Sequence, residues 1–288
     1  MKLQRPKYKE FPPDEFPDPT NSPYDVVELK YDGIWGQLLL EGYEWRLYSR
    51  TGQLKKYGIL SEPVARTLLH GEYCVSSEWS VAHPEYYGQL ALFGATTLEG
   101  VDIAHWSNAG QRTAIRALIR HLQFEEILHG LFLVFQYPLA FAESIWYVNE
   151  EFEGLVFKNS QAPWGTRFAR MKRQVEMDYV CLGFEESESG KHAGVGVASI
   201  IGGLTFAGED EPAPACRVCG ITDEMRREFY RNPNAYVGRV FTAKGNRATK
   251  NGALRHPNFV RWRDDKYTDD CTWEARKARE LKRPRRMG

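Results

Sequence analysis

The longest unbroken apolar run in this chain is Leu131–Phe135. A membrane-spanning helix needs about 20 such residues, so none is expected here, and most of the short apolar runs read as strands. The 288 residues are 42% hydrophobic and 26% charged, a globular composition long enough for one large or two modest domains. Thirty-eight basic residues balance thirty-eight acidic ones. That balance excludes a bulk polycation, and any nucleic-acid contact must come from charge gathered on one face. Five scattered cysteines (Cys74, Cys181, Cys216, Cys219, Cys271) do not form a disulfide framework and fit a reducing compartment. The first residues carry no apolar signal-peptide core. The expectation is a soluble cytoplasmic protein, of the host cytoplasm if viral.

Pro6, Pro12, Pro13, Pro17, Pro19 and Pro23 make the first 23 residues an extended lead-in. Val26–Leu29 then reads as a strand, and Asp32-Gly33 predicts a hairpin turn into a second strand over Ile34–Leu40, with a third over Glu44–Tyr48. Residues 62–69 and 111–128 are expected to be helical; in the second, Ala114, Leu118, Ile119, Leu122 and Leu128 recur at helical spacing. Leu131–Phe135 and Gly154–Phe157 read as buried strands. The polar stretch Glu185–Lys191 suggests a linker, which places domains at 1–183 and 184–288. Beyond it come short strands at Val195–Ile201, Arg217–Val218, Arg239–Thr242 and Phe259–Trp262. One helix interrupts them, with Thr222 or Asp223 as N-cap and Met225–Tyr230 as its body. Short strands around a single helix suit a small OB-fold barrel, so the fold class is α+β. The tail from Cys271 carries seven basic residues against two acidic ones, suited to a phosphate backbone.

Several motifs are missing. There is no phosphate loop of the Gly-x-x-x-x-Gly-Lys-[Ser/Thr] type, no His-Glu-x-x-His and no Gly-x-Ser-x-Gly. Gly194-Val195-Gly196 is followed by Ser199 where a dinucleotide fingerprint has glycine. Cys216 and Cys219 lack the second pair that structural zinc requires, and His83, His105 and His256 have no metal spacing. The informative segment is Glu28-Leu29-Lys30-Tyr31-Asp32-Gly33. Taken alone, Lys30 is a strand-end lysine in front of a turn. As a nucleophile it must lose its proton, which nearby cations and a bound metal would favour. Further segments follow in order: Ser49-Arg50-Thr51-Gly52, Gly71-Glu72-Tyr73, Glu153-Gly154 through Lys158, Arg170-Met171-Lys172, and Arg263-Asp264-Asp265-Lys266.

This series, from about Tyr24 to Lys266, resembles the covalent nucleotidyltransferases, and within them the ATP-dependent DNA ligases in their minimal two-domain form. The run Ala253–Phe259 ahead of the last motif strengthens the likeness. The resemblance implies a nucleotidyltransferase (adenylation) domain of mixed antiparallel sheets followed by an OB-fold domain. It also implies a reaction: Lys30 takes AMP from ATP and releases pyrophosphate, AMP passes to the 5′-phosphate of nicked duplex DNA, and the 3′-hydroxyl displaces it. Residue roles follow from the same resemblance. Glu28 reads the adenine amino group, with Leu29 beside it in the nucleotide pocket, and Phe93 stacks on the base. Arg50 contacts ribose or phosphate. Glu72 binds the ribose hydroxyl or helps to hold metal, and Glu153 ligates Mg2+ or Mn2+. Lys158, Arg170 and Lys172 line the phosphates. Arg263, Asp265 and Lys266 come from the second domain to orient the leaving pyrophosphate, so closure precedes the first step. The expected partner is nicked duplex DNA, bound by a monomer through backbone shape and charge.

Three positions depart from the usual ligase pattern. Trp35 stands where arginine is usual, which moves nick-phosphate contact towards Arg50; Gly94 stands for an aspartate, and Arg170 for a lysine. The alternatives are an RNA ligase or mRNA-capping guanylyltransferase of the same superfamily, or a non-catalytic nick-binding module. NAD-dependent ligases carry extra domains for which this chain has no room.

Overall fold

The computed structural model describes residues 7–74, 86, 88–122, 130–149, 152–246, 248–249 and 251–273. The chain divides into two compact units, Met1–Lys172 and Arg173–Gly288. The break lies ahead of the expected 183/184 boundary because one long strand runs uninterrupted through Val175–Glu186 and belongs wholly to the second unit.

The first unit contains β1 (Tyr8–Phe11), β2 (Val26–Lys30), β3 (Ile34–Ser49), β4 (Leu54–Tyr73), β5 (Leu90–Leu98), β6 (Val101–Asp102), α1 (Asn108–Leu122), β7 (Leu131–Leu133), β8 (Gln136–Pro138), α2 (Ala142–Val148), β9 (Gly154–Lys158) and β10 (Phe168–Lys172). One sheet runs β1-β10-β9-β2-β8, with β1 parallel to β10 and the other pairs antiparallel. The other runs β3-β4-β5-β6, with β7 added parallel to β5. Two apolar cores result. Leu38, Leu40, Leu47, Leu69, Leu90 and Leu92 pack with Ile115 and Ile119 of α1. Val27, Leu29, Leu155, Phe157 and Met171 pack with Ile145 and Trp146 of α2. Alternation along β5 joins them: Leu90 and Leu92 enter the first core, and Ala91 and Phe93 the second. Through Ala91 and Phe93 the second sheet joins the cluster that Val27, Leu29 and Phe157 build on the first sheet.

Two expectations for this unit change. Residues 62–69 are strand, not helix: Val64, Leu68 and Leu69 have helix-like spacing, but Leu68 and Leu69 pair with Leu39 and Leu38 of β3. Asp32-Gly33 is not a hairpin turn, because β2 and β3 lie in different sheets. It is a tight crossover in which a Cβ at Gly33 would stand 2.6 Å from the Tyr73 carbonyl oxygen. The two expected strands after it are one, β3, bent at Gly42, where φ is +61°. The bend folds the ribbon back, so that a Cβ at Gly36 would lie 2.8 Å from Leu47 Cδ1. The expected helix at 111–128 is α1, begun earlier; its expected last residues lie outside the described ones.

The second unit contains β11 (Val175–Glu186), β12 (Val197–Phe206), β13 (Ala213–Val218), α3 (Asp223–Arg231), β14 (Val240–Gly245), β15 (Asn258–Trp262) and β16 (Thr272–Trp273). The Thr222 hydroxyl caps α3 by accepting from the Met225 amide at 3.2 Å. The strands run β13-β12-β11-β14-β15, with β16 on β12, around a core of Tyr179, Ile200, Leu204, Phe229 and Phe241. The sheet is open where a closed barrel was expected. Among the described residues its edges meet only through the isolated bridge Cys219–Asn258. The basic tail beyond Trp273 lies outside the described residues. No described helix is long and apolar enough to cross a membrane.

His70 of β4 is fully buried, with Nε2 2.9 Å from Thr96 Oγ1, and burial pushes its pKa down to about 3. The unfolded chain takes up this proton near pH 6.5 and the folded one does not, so stability is lost as pH falls from about 6.5 towards 3. Over that window the loss is on the order of 5 kcal/mol. Urea unfolding at pH 7 and pH 4 should show it, and His70→Phe should flatten the dependence; an unchanged pH dependence in the variant contradicts the assignment.

Candidate active site

Register places the site. In the first sheet Gly154 of β9 is the direct partner of Lys30 on one side and of Lys172 on the other. Glycine is required there, since a Cβ would stand 2.0 Å from the Met171 carbonyl oxygen. Glu153, one residue earlier, donates its amide to the Lys30 carbonyl at 3.0 Å and turns its carboxylate between the two lysines. Lys30 Nζ lies 2.5 Å from Glu153 Oε2, and Lys172 Nζ lies 2.7 Å from Glu153 Oε1. From the facing sheet Glu72 brings Oε1 to 3.0 Å from Lys30 Nζ. Gly71 lets that strand pack closely, because a Cβ on it would meet the Ala91 carbonyl oxygen at 2.4 Å.

The electrostatics of the resting site follow. Burial pulls the Lys30 pKa down, but Glu72 and Glu153 outweigh it and hold the amine as ammonium, above the usual lysine range. Burial works to raise Glu153, yet Lys30 and Lys172 together keep it below the usual carboxylate range. At Glu72 burial, with the Glu153 carboxylate nearby, outweighs Lys30 and Lys172 and raises the pKa. The lysine thus keeps its proton until other positive charge reaches the carboxylates. Glu72 Oε2 is buried without a hydrogen-bond partner. That orphaned oxygen and the Glu153 carboxylate form the donor set of a hard cation that takes its remaining ligands from phosphates and water. Among the described residues no group of three or more His, Cys, Asp or Glu gathers to hold a metal unaided. The residues present therefore suit a hard, oxygen-ligated cation that completes its shell from elsewhere.

Alternation on β2 puts Glu28 on the same face as Lys30 and sends Leu29 into the core, so the Leu29 side chain does not face the site. Glu28 is 2% exposed, and its carboxylate already accepts three bonds: Arg112 at 3.0 Å and Gln136 at 2.9 Å on Oε1, and Lys158 at 2.5 Å on Oε2. Among the described residues these three bonds leave one of its four acceptor positions unused. Lys158 also donates to the Phe93 carbonyl oxygen at 3.2 Å and lies 5.5 Å above that ring. It is paired with Val26 at the other end of β9 from Gly154, so it stands with Glu28 and Phe93 and not with Lys172. Arg170 is engaged by Glu10 of β1, its Nε donating at 2.6 Å, and lies over the Tyr8 ring. Arg50 is exposed in the turn between β3 and β4.

In the second unit Arg263 binds Asp265 through Nε and a terminal nitrogen at 2.8 and 2.7 Å, and reaches Asp178 at 3.2 Å. Lys266 Nζ lies 2.5 Å from the same Asp178. Burial works against it, but Lys266, Thr242 and Arg263 keep Asp178 below the usual carboxylate range. Sequence reasoning missed Arg112, Gln136, Glu10 and Asp178. None lies in one of the short motifs read from the sequence; only for Asp178, set in a strand opposite Thr242, is there a hint.

No protein-family model and no curated protein matches the chain. Solved structures do. Pmar-Lig_Pre. aligns with a TM-score of 0.54 at 16% identity, over 84% of this chain and 64% of its own. Pmar-Lig_PreS3 aligns with 0.53 at 15%, over 88% and 67%. A structure from "DNA binding with a minimal scaffold: Structure-function analysis of Lig E DNA ligases" aligns with 0.53 at 18%, over 83% and 93%. The chain thus spans less than two thirds of the first and nearly all of the Lig E structure. It has the fold of these ligases, in agreement with the motif resemblance read from the sequence.

Gly154→Ala should push β9 from β10 and separate Lys30 from Lys172. A loss of about 3 kcal/mol or more in denaturant unfolding is expected; a loss under about 1 kcal/mol would contradict the tight seam.

Proposed function

We propose that the chain is an ATP-dependent DNA ligase that works through a Lys30–AMP intermediate. The observation that carries this reading is the Lys30 amine, held at 3.0 and 2.5 Å by Glu72 and Glu153 from facing sheets, with Lys172 against the same carboxylate. Phosphoryl transfer asks for an in-line nucleophile and cations around the developing charge, and little else. Lys30 first gives up its ammonium proton to solvent; its Nζ then attacks the α-phosphorus of ATP, the bond to the β-phosphate breaks so that pyrophosphate leaves, and a second nitrogen proton is lost to solvent as the phosphoramidate forms. Lys172 and, once released by Glu10, Arg170 face the phosphates. Glu153 and Glu72 would hold Mg2+, which supplies charge neutralisation at the transferring phosphate. Glu28 offers its free acceptor position to the adenine amino group, with Phe93 as the stacking ring and Lys158 and Arg112 fixing the carboxylate. The second unit is read as an OB-type module. Its Arg263 and Lys266 orient the leaving pyrophosphate after exchanging Asp178 and Asp265 for it.

The polynucleotide is nicked duplex DNA, bound through its backbone, as the DNA binding named for the Lig E structure suggests. A capping guanylyltransferase would load GMP from GTP, and an RNA ligase would join RNA ends in preference to nicked DNA.

Sealing assays test the order of steps. With ATP and Mg2+ the wild-type chain should seal a nicked duplex, and chelating the metal should stop it. Lys30→Ala should leave an ordinary nick open yet seal a nick whose 5′-phosphate already carries AMP, because the amine is needed only to load the enzyme. Sealing of an ordinary nick by Lys30→Ala contradicts the proposal. Nick affinity should also fall steeply with salt, about tenfold or more between 50 and 200 mM; a flat dependence contradicts backbone binding.

A further inference from the structure

Two departures from the ligase pattern, Trp35 and Gly94, are physically one feature. Trp35 of β3 lies with its ring centroid 5.8 Å from that of His70, at an interplanar angle of 33°. His70 in turn lies 4.7 Å from Trp164 at 31°. The three rings form a tilted column along the wall of the second sheet. Trp164 closes it over Gly94, where a Cβ would fall 1.8 Å from Trp164 Nε1. A side chain at position 94 would expel Trp164 and remove the backing from His70 and Trp35. Glycine at 94 makes room for Trp164, the inner end of the column.

The column is held by stacking. The Nε1 atoms of Trp35 and Trp164 and Nδ1 of His70 are buried without hydrogen-bond partners. It carries no arginine or lysine. Trp35 is its outer member, partly exposed, and among the described residues no other ring lies against its second face. Register puts Trp35 directly across the strand from Glu72, whose carboxylate is 3.0 Å from Lys30 Nζ. Cross-strand partners have Cβ atoms about 5 Å apart, so a flat, half-open indole borders the reactive amine. The nucleotide nearest that amine when AMP is handed on is the one bearing the 5′-phosphate. A backed aromatic, partly exposed and with no further ring against it among the described residues, is suited to a base and poorly suited to a phosphate.

We infer that Trp35 is a specificity-determining platform on which the base of the 5′-phosphate nucleotide stacks, in place of an ionic contact to the phosphate. This inference rests on the ligase reading above. His70 and Trp164 act through Trp35 and position it.

A double-mutant cycle tests it. Binding of the full-length chain to a fluorescent nicked duplex is measured by anisotropy. The nucleotide bearing the 5′-phosphate carries either its base or an abasic sugar. Removing the base should weaken wild-type binding about tenfold. Trp35→Ala should lose about the same on the intact duplex and almost nothing more on the abasic one, with the salt dependence unchanged. Trp35→Phe should retain most of the affinity, and it runs the same cycle if the alanine variant fails to fold. Trp35→Arg should not restore binding. Additive losses, full affinity in Trp35→Ala, or a tight Trp35→Arg variant with a steeper salt dependence would each overturn the platform. The underlying reading is checked apart from it, by whether wild-type Lys30 accepts AMP from ATP. That assay contains no DNA, so either result can fail alone.

Discussion

One ammonium between two carboxylates organises the first unit. Lys30 and Glu153 belong to one sheet and Glu72 to the other, so the ion group exists only when both sheets are formed and correctly faced. Register carries the constraint down to single residues. Gly154 must be glycine for β9 and β10 to approach, and it is this approach that sets Lys30 and Lys172 at one height on either side of Glu153. A one-residue slip of β9 would turn Glu153 to the wrong face. The alternation of the strands also separates tasks: Val27, Leu29, Leu155 and Phe157 supply apolar burial, and their neighbours Glu28, Lys30 and Lys158 supply charge.

The arrangement costs stability. Glu28 and Lys158 are both 2% exposed, and a buried ion pair contributes little net stability even when its geometry is good. Glu72 Oε2, Gln37 Oε1 and three ring nitrogens of Trp35, His70 and Trp164 are buried without partners, each at about 1–3 kcal/mol. All lie on strands of the second sheet or on Trp164 beside it. The leucine-rich core against α1 and the aromatic core against α2 offset that cost.

Much of the site was legible because its residues sit in short motifs beside glycines. Lys30 precedes Asp32-Gly33, Glu72 follows Gly71, and Glu153 precedes Gly154; the structure brings both carboxylates within hydrogen-bond distance of the Lys30 amine. The residues that hold them were not legible. Arg112 and Gln136 reach Glu28 from α1 and β8, and Glu10 reaches Arg170 from an edge strand hidden in a proline-rich lead-in. Only the tertiary pairing creates those contacts. The misread segments have the same origin. Val64, Leu68 and Leu69 have helical spacing, but the long β3–β4 ribbon claims them, and a turn signal at Asp32-Gly33 cannot say whether the next strand joins the same sheet. The linker-like Glu185–Lys191 begins inside β11, because a charged strand end at a sheet's exposed margin has the composition of a loop.

The central claim is that the Lys30 amine, freed from its carboxylates, becomes covalently loaded. Peptide mapping by mass spectrometry after exposure to ATP and Mg2+, with no polynucleotide present, addresses it most directly. The account predicts a single adenylate on the peptide containing Lys30. An unmodified chain, or adenylate on any other side chain, would contradict it.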